Sequence, residues 1–137
     1  MKKETLFPLL AVLLLATGLA SAQKKQGPIK ANIPFDFVAG NTSMPAGEYR
    51  ISQLSNVGVL SIKGESGEIA LVGSNSVQAN AMSPGTRLIF HRYGDQYFLY
   101  QVWTEGDDRG REVPKLRWEK ELTSNSRYPA VAVLAHK

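Results

Sequence analysis

The chain contains no cysteine and only two histidines, His91 and His136. The lack of cysteine excludes disulfide bonds, thiol catalysis, CxxC redox chemistry and cysteine-ligated metals, so stability must come from apolar burial and backbone hydrogen bonds. Two histidines without cysteine partners are too few for a zinc site. The phosphate-binding patterns G-x-G-x-x-G and G-x-x-x-x-G-K-[ST] are also absent from the sequence. The carboxylates Glu105, Asp107 and Asp108 lack the EF-hand spacing of a calcium loop, so we predict neither a metal site nor a cofactor.

The longest apolar run lies at the N-terminus. Two lysines precede the uncharged stretch 5–20, which leads into the small-residue triplet 20–22, Ala-Ser-Ala. This is the pattern of a secretory signal peptide with an A-x-A cleavage site. Pro8 interrupts the run, which is shorter than the roughly 20 apolar residues that a membrane-spanning helix needs. We predict a signal peptide at 1–22, export to the periplasm or the extracellular space, and no membrane span after cleavage.

Cleavage after Ala22 leaves 115 of the 137 residues, which is enough for one domain with one core. We predict a single mature β domain at 23–137. Its net charge falls from +4 to +3 when the charged residues of the signal are removed, and the basic residues are spread along the chain. Such a mild surplus favours anionic envelope polymers, but it is not the basic footprint of a protein that binds nucleic acid.

Short alternating segments separated by turn residues predict an all-β fold of mainly antiparallel strands. The stretch 33–37 alternates apolar residues with Pro34 and Asp36, which predicts a half-buried strand that the proline restricts to a sheet edge or a bulge. A second strand is expected at 48–54, and the run "YPAVAVLAHK" predicts a final strand. The polar stretches "SNSVQANAMSPG" and "TEGDDRGRE" are predicted to be a connection and an exposed charged loop.

The stretch "GVLSIKGESGEIALVG" predicts a first β-hairpin. A two-residue loop at 65–66 places Ile62 opposite Ile69 and Leu60 opposite Leu71. This register also sets an opposite-charge pair beside the turn, and a slipped register would lose both features.

The stretch "FHRYGDQYFLY", residues 90–100, predicts a second hairpin. Gly94 and Asp95 form the two-residue loop, with glycine first as in a type II′ turn. Both faces of this hairpin are partly apolar, so we expect it to lie between the core and a second covered surface. Arg92 and Tyr97 are placed to form a cation–π pair. The predicted cross-strand pairs are Arg92 with Tyr97, His91 with Phe98, Phe90 with Leu99, and Ile89 with Tyr100.

One short helix is predicted near residues 114–123, in the stretch "VPKLRWEKEL". Pro114 suits a first helical turn, and three large apolar residues are available to dock the helix, namely Leu116, Trp118 and Leu122. The full prediction is six or seven strands curled into a small barrel or a sandwich. The sequence does not distinguish these two, because closure depends on strand tilt and shear.

The stretches "IPFDFVAGNTSMPAGEYRI", "FHRYGDQYFLYQVW" and "VPKLRWEKEL" resemble a family of small exported β proteins frequent in acidobacterial genomes. The family's recurring motifs are a PFDF-x-x-G strand and a PAG-x-Y turn. The resemblance spans most of the mature chain. It implies a common fold and an exported location, and it assigns no catalytic or binding residue.

His91 is the first candidate for acid–base chemistry, because imidazole titrates near neutral pH. A hydrolase would also need a positioned nucleophile, and "GESGE" at 64–68 does not match the nucleophile motif G-x-S-x-G. We therefore interpret His91 as a strand residue packed beside Phe98. The predicted role is non-enzymatic, either binding or structural, at the cell envelope or outside the cell. The alternative is a small secreted hydrolase that uses His91.

Aromatic residues are concentrated in the second hairpin, where six of the twelve in the chain fall within residues 90–103. Core packing is the simplest use of such rings, but rings that exceed the needs of the core can form a platform for carbohydrate or apolar ligands. The expected partner is an envelope polysaccharide or another anionic or apolar extracellular ligand. The candidate ligand-binding residues are Arg87, Arg92, Tyr93, Tyr100 and Trp103.

Overall fold

The structure is a computed structural model that describes residues 27–54, 58–123 and 130–136. The predicted signal peptide lies outside these residues. Within them, no helix has the length and apolar character needed to cross a membrane. The described elements are, in chain order, β1 (Ile29–Ile33), β2 (Phe37–Ala39), β3 (Thr42–Met44), β4 (Gly47–Leu54), β5 (Val59–Gly64), β6 (Ile69–Gly73), β7 (Asn75–Gln78), β8 (Arg87–Tyr93), β9 (Gln96–Trp103), β10 (Arg109–Glu112), α1 (Arg117–Thr123) and β11 (Ala130–Leu134).

The strands form two sheets rather than a closed barrel. The smaller sheet has the order β1-β4-β5-β6, and the larger one has β11-β8-β9-β10-β7 with β2 and β3 added beside β9. All strand pairs are antiparallel except the bridge between Val38 of β2 and Phe98 of β9. The described fold is therefore a sandwich, and it confirms the predicted all-β class with mainly antiparallel strands and one short helix.

A single apolar core lies between the two sheets. Both sheets contribute alternate residues to it, because every second side chain of a strand points to the same face. The smaller sheet contributes residues such as Ile51 and Ile62, and the larger sheet contributes Leu88 and Phe90. The two sheets also meet at one corner, where Lys30 N donates to His136 O at 2.7 Å and His136 N donates to Lys30 O at 3.0 Å.

The number of strands is larger than the predicted six or seven, because several strands are only three to five residues long. The stretch 33–37 illustrates the cause. It was expected to be one strand, but β1 ends before Pro34 and β2 begins in the other sheet. Proline cannot donate to a ladder, so the chain leaves the first sheet at this residue. As expected for a proline-limited segment, β1 is an edge strand of its sheet.

The predicted register of the first hairpin is wrong by one residue. Ile62 faces Ala70 and Leu60 faces Val72, because the loop contains three residues, 65–67, rather than two. Gly64 N donates to Glu68 O at 2.8 Å, and Gly67 closes the turn with a φ of +97°, a conformation that glycine adopts without strain. A one-residue slip sends alternate side chains to the opposite face.

The second hairpin follows its predicted register near the turn. Gly94 has a φ of +61°, as its place in a two-residue loop requires, and the first three predicted cross-strand pairs are confirmed. The fourth is wrong, since Ile89 faces Gln101 instead of Tyr100. A β-bulge adds one residue to β9 at this point, which turns Val102 toward the core.

Three described strands lie in stretches that were predicted to be loops, and the first of them, β3, is in the predicted loop 40–47 that precedes β4. The strand β7 is in the polar connection and β10 is in the charged loop, and the two pair with each other. Their side chains show little apolar alternation, so the periodicity that identifies strands is absent. Backbone pairing and side-chain contacts hold them, including the 2.9 Å hydrogen bond from Arg111 Nε to Ser74 Oγ.

The burial of Tyr49 in the core makes part of the stability of the fold depend on pH. Its buried side chain lies edge-on to Phe37, and its hydroxyl donates to Pro45 O. Burial raises the pKa of Tyr49, and the negative charges of Glu68 and Asp36 add to the effect. The folded state therefore holds this proton more tightly than the unfolded state, whose tyrosine pKa is about 10. This contribution to stability is complete below pH 10 and is lost as the pH rises through the folded pKa.

We expect the variant Tyr49→Phe to lose less stability than the wild type between pH 9 and pH 11. At neutral pH the variant should be slightly less stable, because it lacks the hydrogen bond to Pro45 O. Urea unfolding at a series of pH values measures both effects. Parallel stability curves for the two proteins across this range would contradict the expectation.

Candidate functional site

The structure does not bring the five predicted ligand-binding residues onto one exposed surface. Three of them are half-buried: Arg87, Tyr93 and Tyr100. Trp103 is buried, and its indole N–H donates to Gln101 Oε1 at 3.0 Å. Arg92 is exposed at the hairpin tip. Its guanidinium lies 5.5 Å from the ring centroid of Tyr97, which confirms the predicted cation–π pair.

A helix covers the outer face of the second hairpin, as the prediction of a second covered surface requires. The helix α1 begins at Arg117, so Pro114 precedes it instead of forming its first turn. Of the residues expected to dock it, Trp118 and Leu122 each remain 41% exposed. Among the side chains of α1 from Arg117 to Leu122, the buried one is instead Glu119, which was not predicted to have a role.

Glu119 joins three residues of the hairpin in what we term the latch cluster, namely His91, Tyr93, Tyr100 and Glu119. The Tyr93 hydroxyl donates to Glu119 Oε1 at 3.1 Å, and His91 Nδ1 lies 3.8 Å from the same oxygen. The His91 ring stacks on Tyr100 with centroids 3.8 Å apart. These contacts hold α1 against the sheet and bury His91. The histidine pairs with Phe98 across the ladder, as predicted, and its ring also contacts Tyr100 and approaches Glu119.

An open groove lies beside the tip of the second hairpin, with a volume of about 480 Å³. We term it the tip groove. Three separate parts of the chain form it, since the turn of the hairpin and the region of β2 and β3 face the first turn of α1. Its lining residues are Asp36, Phe37, Val38, Ser43, Met44, Pro45, Asp95, Gln96, Tyr97 and Trp118.

The aromatic side chains of the tip groove are held in place by other rings. Tyr97 stacks on Phe35 with centroids 3.8 Å apart and an interplanar angle of 16°. Trp118 meets Phe98 at 4.9 Å and 61°, so its contact with the sheet is edge-on while much of the indole stays exposed. Fixed, partly exposed rings offer apolar surface to a ligand without a large loss of side-chain entropy on binding.

The polar groups of the tip groove are mostly acceptors. Asp36, Asp95 and Gln96 are exposed, and Asp36 Oδ1 accepts a hydrogen bond from Ala46 N at 2.9 Å, which orients its carboxylate. No lysine or arginine lines the groove in the described part of the chain. The groove can therefore accept hydrogen bonds from hydroxyl groups. Its two carboxylates disfavour an anionic ligand except at the edge where Arg92 stacks on Tyr97.

Sequence reasoning identified the concentration of aromatic residues but missed this groove. Tyr97 was assigned to a cation–π pair with Arg92 and Trp118 to the docking of the helix, and Asp36 was interpreted as the polar member of an alternating strand. The signal that was present is the sequence "GDQY", in which a turn places acidic and amide side chains next to a ring. The contributions of β2 and α1 depend on tertiary structure.

Comparisons of the chain with protein-family models, with curated proteins and with solved structures give no significant match. Among residues 27–54, 58–123 and 130–136, no three histidine, aspartate or glutamate side chains are grouped to hold a metal ion.

Proposed function

We propose that this protein is an exported, non-enzymatic domain that binds a neutral polysaccharide of the cell envelope or the surroundings in the tip groove. One observation carries the proposal. The half-exposed ring of Trp118 borders an open groove that also presents Tyr97 and two exposed carboxylates. The signal-like segment at 1–22 supports the exported location.

A sugar ring suits this groove because it has two kinds of surface. Its axial C–H faces are apolar and pack on aromatic rings, and its hydroxyl groups donate hydrogen bonds to carboxylate and amide oxygens. Trp118 supplies the ring, and Asp36, Asp95 and Gln96 supply the acceptors. An open groove also leaves room for a polymer to extend beyond the residues in contact.

The non-enzymatic part of the proposal is supported by the position of His91. The imidazole lies beneath α1 in the latch cluster and does not line the tip groove. A general base must come within hydrogen-bond distance of the proton that it removes. The contacts of His91 with Tyr100 and Glu119 support a role in holding α1, which in turn positions Trp118.

We expect Trp118→Ala to weaken polysaccharide binding by about tenfold or more, since an aromatic anchor at a binding site contributes on the order of 1.5–2 kcal/mol. The matched control is Leu122→Ala, because Leu122 lies on the same helix and has the same 41% exposure. Affinity electrophoresis in gels containing neutral or acidic polysaccharides measures the effect. The variant Trp103→Phe leaves Trp118 as the sole tryptophan. Titration of this variant with the polysaccharide tests whether the fluorescence of Trp118 changes on binding.

The proposal predicts retarded migration of the wild type and the Leu122 variant with a neutral polysaccharide, and unretarded migration of the Trp118 variant. Retardation by acidic polysaccharides alone would contradict it, because the lining carboxylates should repel them. Equal retardation of all three proteins would place the binding elsewhere. His91→Gln should weaken the affinity only slightly, because Tyr93 still donates to Glu119 and holds α1. Turnover of a glycoside, ester or peptide that this substitution abolishes would favour a hydrolase instead.

A further inference from the structure

The strand β6 is an edge strand of the smaller sheet. It pairs with β5 on one side, and no other strand in the described part of the chain pairs with it. The bond from Gly64 N to Glu68 O marks the first hydrogen-bonded pair of this hairpin. Such pairs alternate along an antiparallel ladder, so the backbone N–H and C=O groups of Ile69, Leu71 and Gly73 point away from β5.

The same residues also carry the exposed side chains of β6. Ile69 is 59% exposed and Leu71 is 65% exposed, whereas Ala70 and Val72 face the core. Natural edge strands are usually protected from pairing by charged residues, proline or bulges. Here no charged residue occurs anywhere from Ile69 to Thr86. An unprotected edge of this kind favours pairing with another strand.

We propose that β6 pairs with β6 of a second copy of this chain, in an antiparallel register centred on Leu71. A two-fold axis then passes between the two Leu71 residues, and Ile69 lies opposite Gly73 of the second copy. Both are hydrogen-bonded pairs, so each outward N–H meets a C=O.

The side chains fit this register as well as the backbone does. The two Leu71 side chains lie opposite each other, and each Ile69 reaches the Leu71 of the other copy along the diagonal. Gly73, which faces Ile69, has no side chain to obstruct it. The result is a four-residue apolar cluster on the outer surface, joined to one continuous sheet of eight strands, and an isologous interface that closes as a dimer.

The dimer should be reversible. A contact centred on one five-residue strand covers less surface than the roughly 1,200–2,000 Å² that stable protein interfaces bury. The absence of charge in β6 means that no like charges oppose each other across the two-fold axis, although the net positive charge of the whole protein opposes association at low salt. We therefore expect a dimer population that rises with protein concentration and with ionic strength.

The first test is sedimentation velocity of the exported protein, expressed from the full chain, over a wide range of concentrations. The variant Leu71→Lys places two like charges at the axis and should remain a monomer. The matched control is Leu134→Lys, since Leu134 is a 79% exposed leucine on another strand. Melting temperatures verify that both variants fold. A wild type that is monomeric at every concentration, or a dimer that survives Leu71→Lys, would overturn the proposal.

The second test uses the absence of cysteine from the chain to determine the register. Paired Leu71 residues should have Cα atoms about 5.5 Å apart, within the range that a disulfide spans. The Ile69 residues of the two copies are displaced by four positions, or about 13 Å along the strand. With oxidised glutathione, Leu71→Cys should form a covalent dimer about tenfold or more faster than Ile69→Cys. A mixture of Ile69→Cys and Gly73→Cys proteins should form the heterodimer.

Equal rates for Leu71→Cys and Ile69→Cys would mean that the disulfides form by random collision and would overturn the register.

A second groove of about 460 Å³ lies beside Leu71 and Gly73. Binding of an added extended apolar peptide there, by a wild type that stays monomeric, would show that β6 serves a different partner and would also overturn the proposal.

Discussion

Phe90→Ala is expected to lower the free energy of unfolding by about 3–5 kcal/mol. Phe90 is fully buried on β8 and makes edge-on contacts with Phe35 at 5.0 Å and Phe37 at 5.5 Å. These two rings flank the point at which the chain passes from one sheet to the other. Truncation would thus leave a cavity where both sheets are joined, in a fold whose total stability is on the order of 5–15 kcal/mol.

Urea unfolding followed by circular dichroism and tryptophan fluorescence measures this loss. The control is Leu134→Ala, which removes an exposed leucine and should change stability by no more than about 0.5 kcal/mol. A loss below about 1 kcal/mol for Phe90→Ala would contradict a core shared by the two sheets. If Phe90→Ala prevents folding, Phe90→Leu should still give a folded protein with a smaller loss.

Glu119→Ala is expected to lower the free energy of unfolding by about 2–3 kcal/mol and to weaken binding in the tip groove. The substitution removes the carboxylate that Tyr93 and His91 contact beneath α1. A buried hydrogen bond to a charged group contributes roughly 1.5–3 kcal/mol, and the packing around it adds to the loss. Because Glu119 follows Trp118 directly, release of the helix also displaces the ring proposed to bind sugar.

Glu119→Gln separates the hydrogen bond of this side chain from its carboxylate charge. The amide oxygen can still accept the hydrogen bond from Tyr93, so stability and sugar affinity should both be largely retained. Affinity electrophoresis and urea unfolding of the two variants give these quantities independently. If Glu119→Ala unfolds at the wild-type urea concentration and binds with wild-type affinity, then the latch cluster does not position Trp118.

The parts of the fold that could be predicted from the sequence are those determined by local periodicity. Strand β4 was predicted because Tyr49 and Ile51 alternate with polar residues, and the turn at Gly94 because glycine allows a positive φ. The predicted register of the first hairpin was wrong because a two-residue loop and a three-residue loop both place apolar residues opposite each other. Ala70 and Val72 face the core in one register, and Ile69 and Leu71 in the other, so the pattern alone did not decide.

The candidate site was less predictable for a related reason. The tip groove depends on where the chain leaves the first sheet at Pro34 and on where α1 docks. The docking depends on Glu119, a charged residue that periodicity assigns to the solvent face. Its burial is made possible by the hydrogen bond from Tyr93 and by the nearby His91, both on a different element. Pairings of this kind are set by tertiary structure and leave no local pattern.

The bridge between Lys30 and His136 determines the order in which the fold can be completed. There β1 meets His136, which lies two residues beyond the end of β11. Hairpins such as β8–β9 can form from neighbouring residues as soon as they are available. The corner that joins the two sheets can form only after the chain as far as His136 has been made. Such non-local contacts are typical of slow-folding β proteins, so the outer edge of β1 stays without this bridge until His136 reaches it.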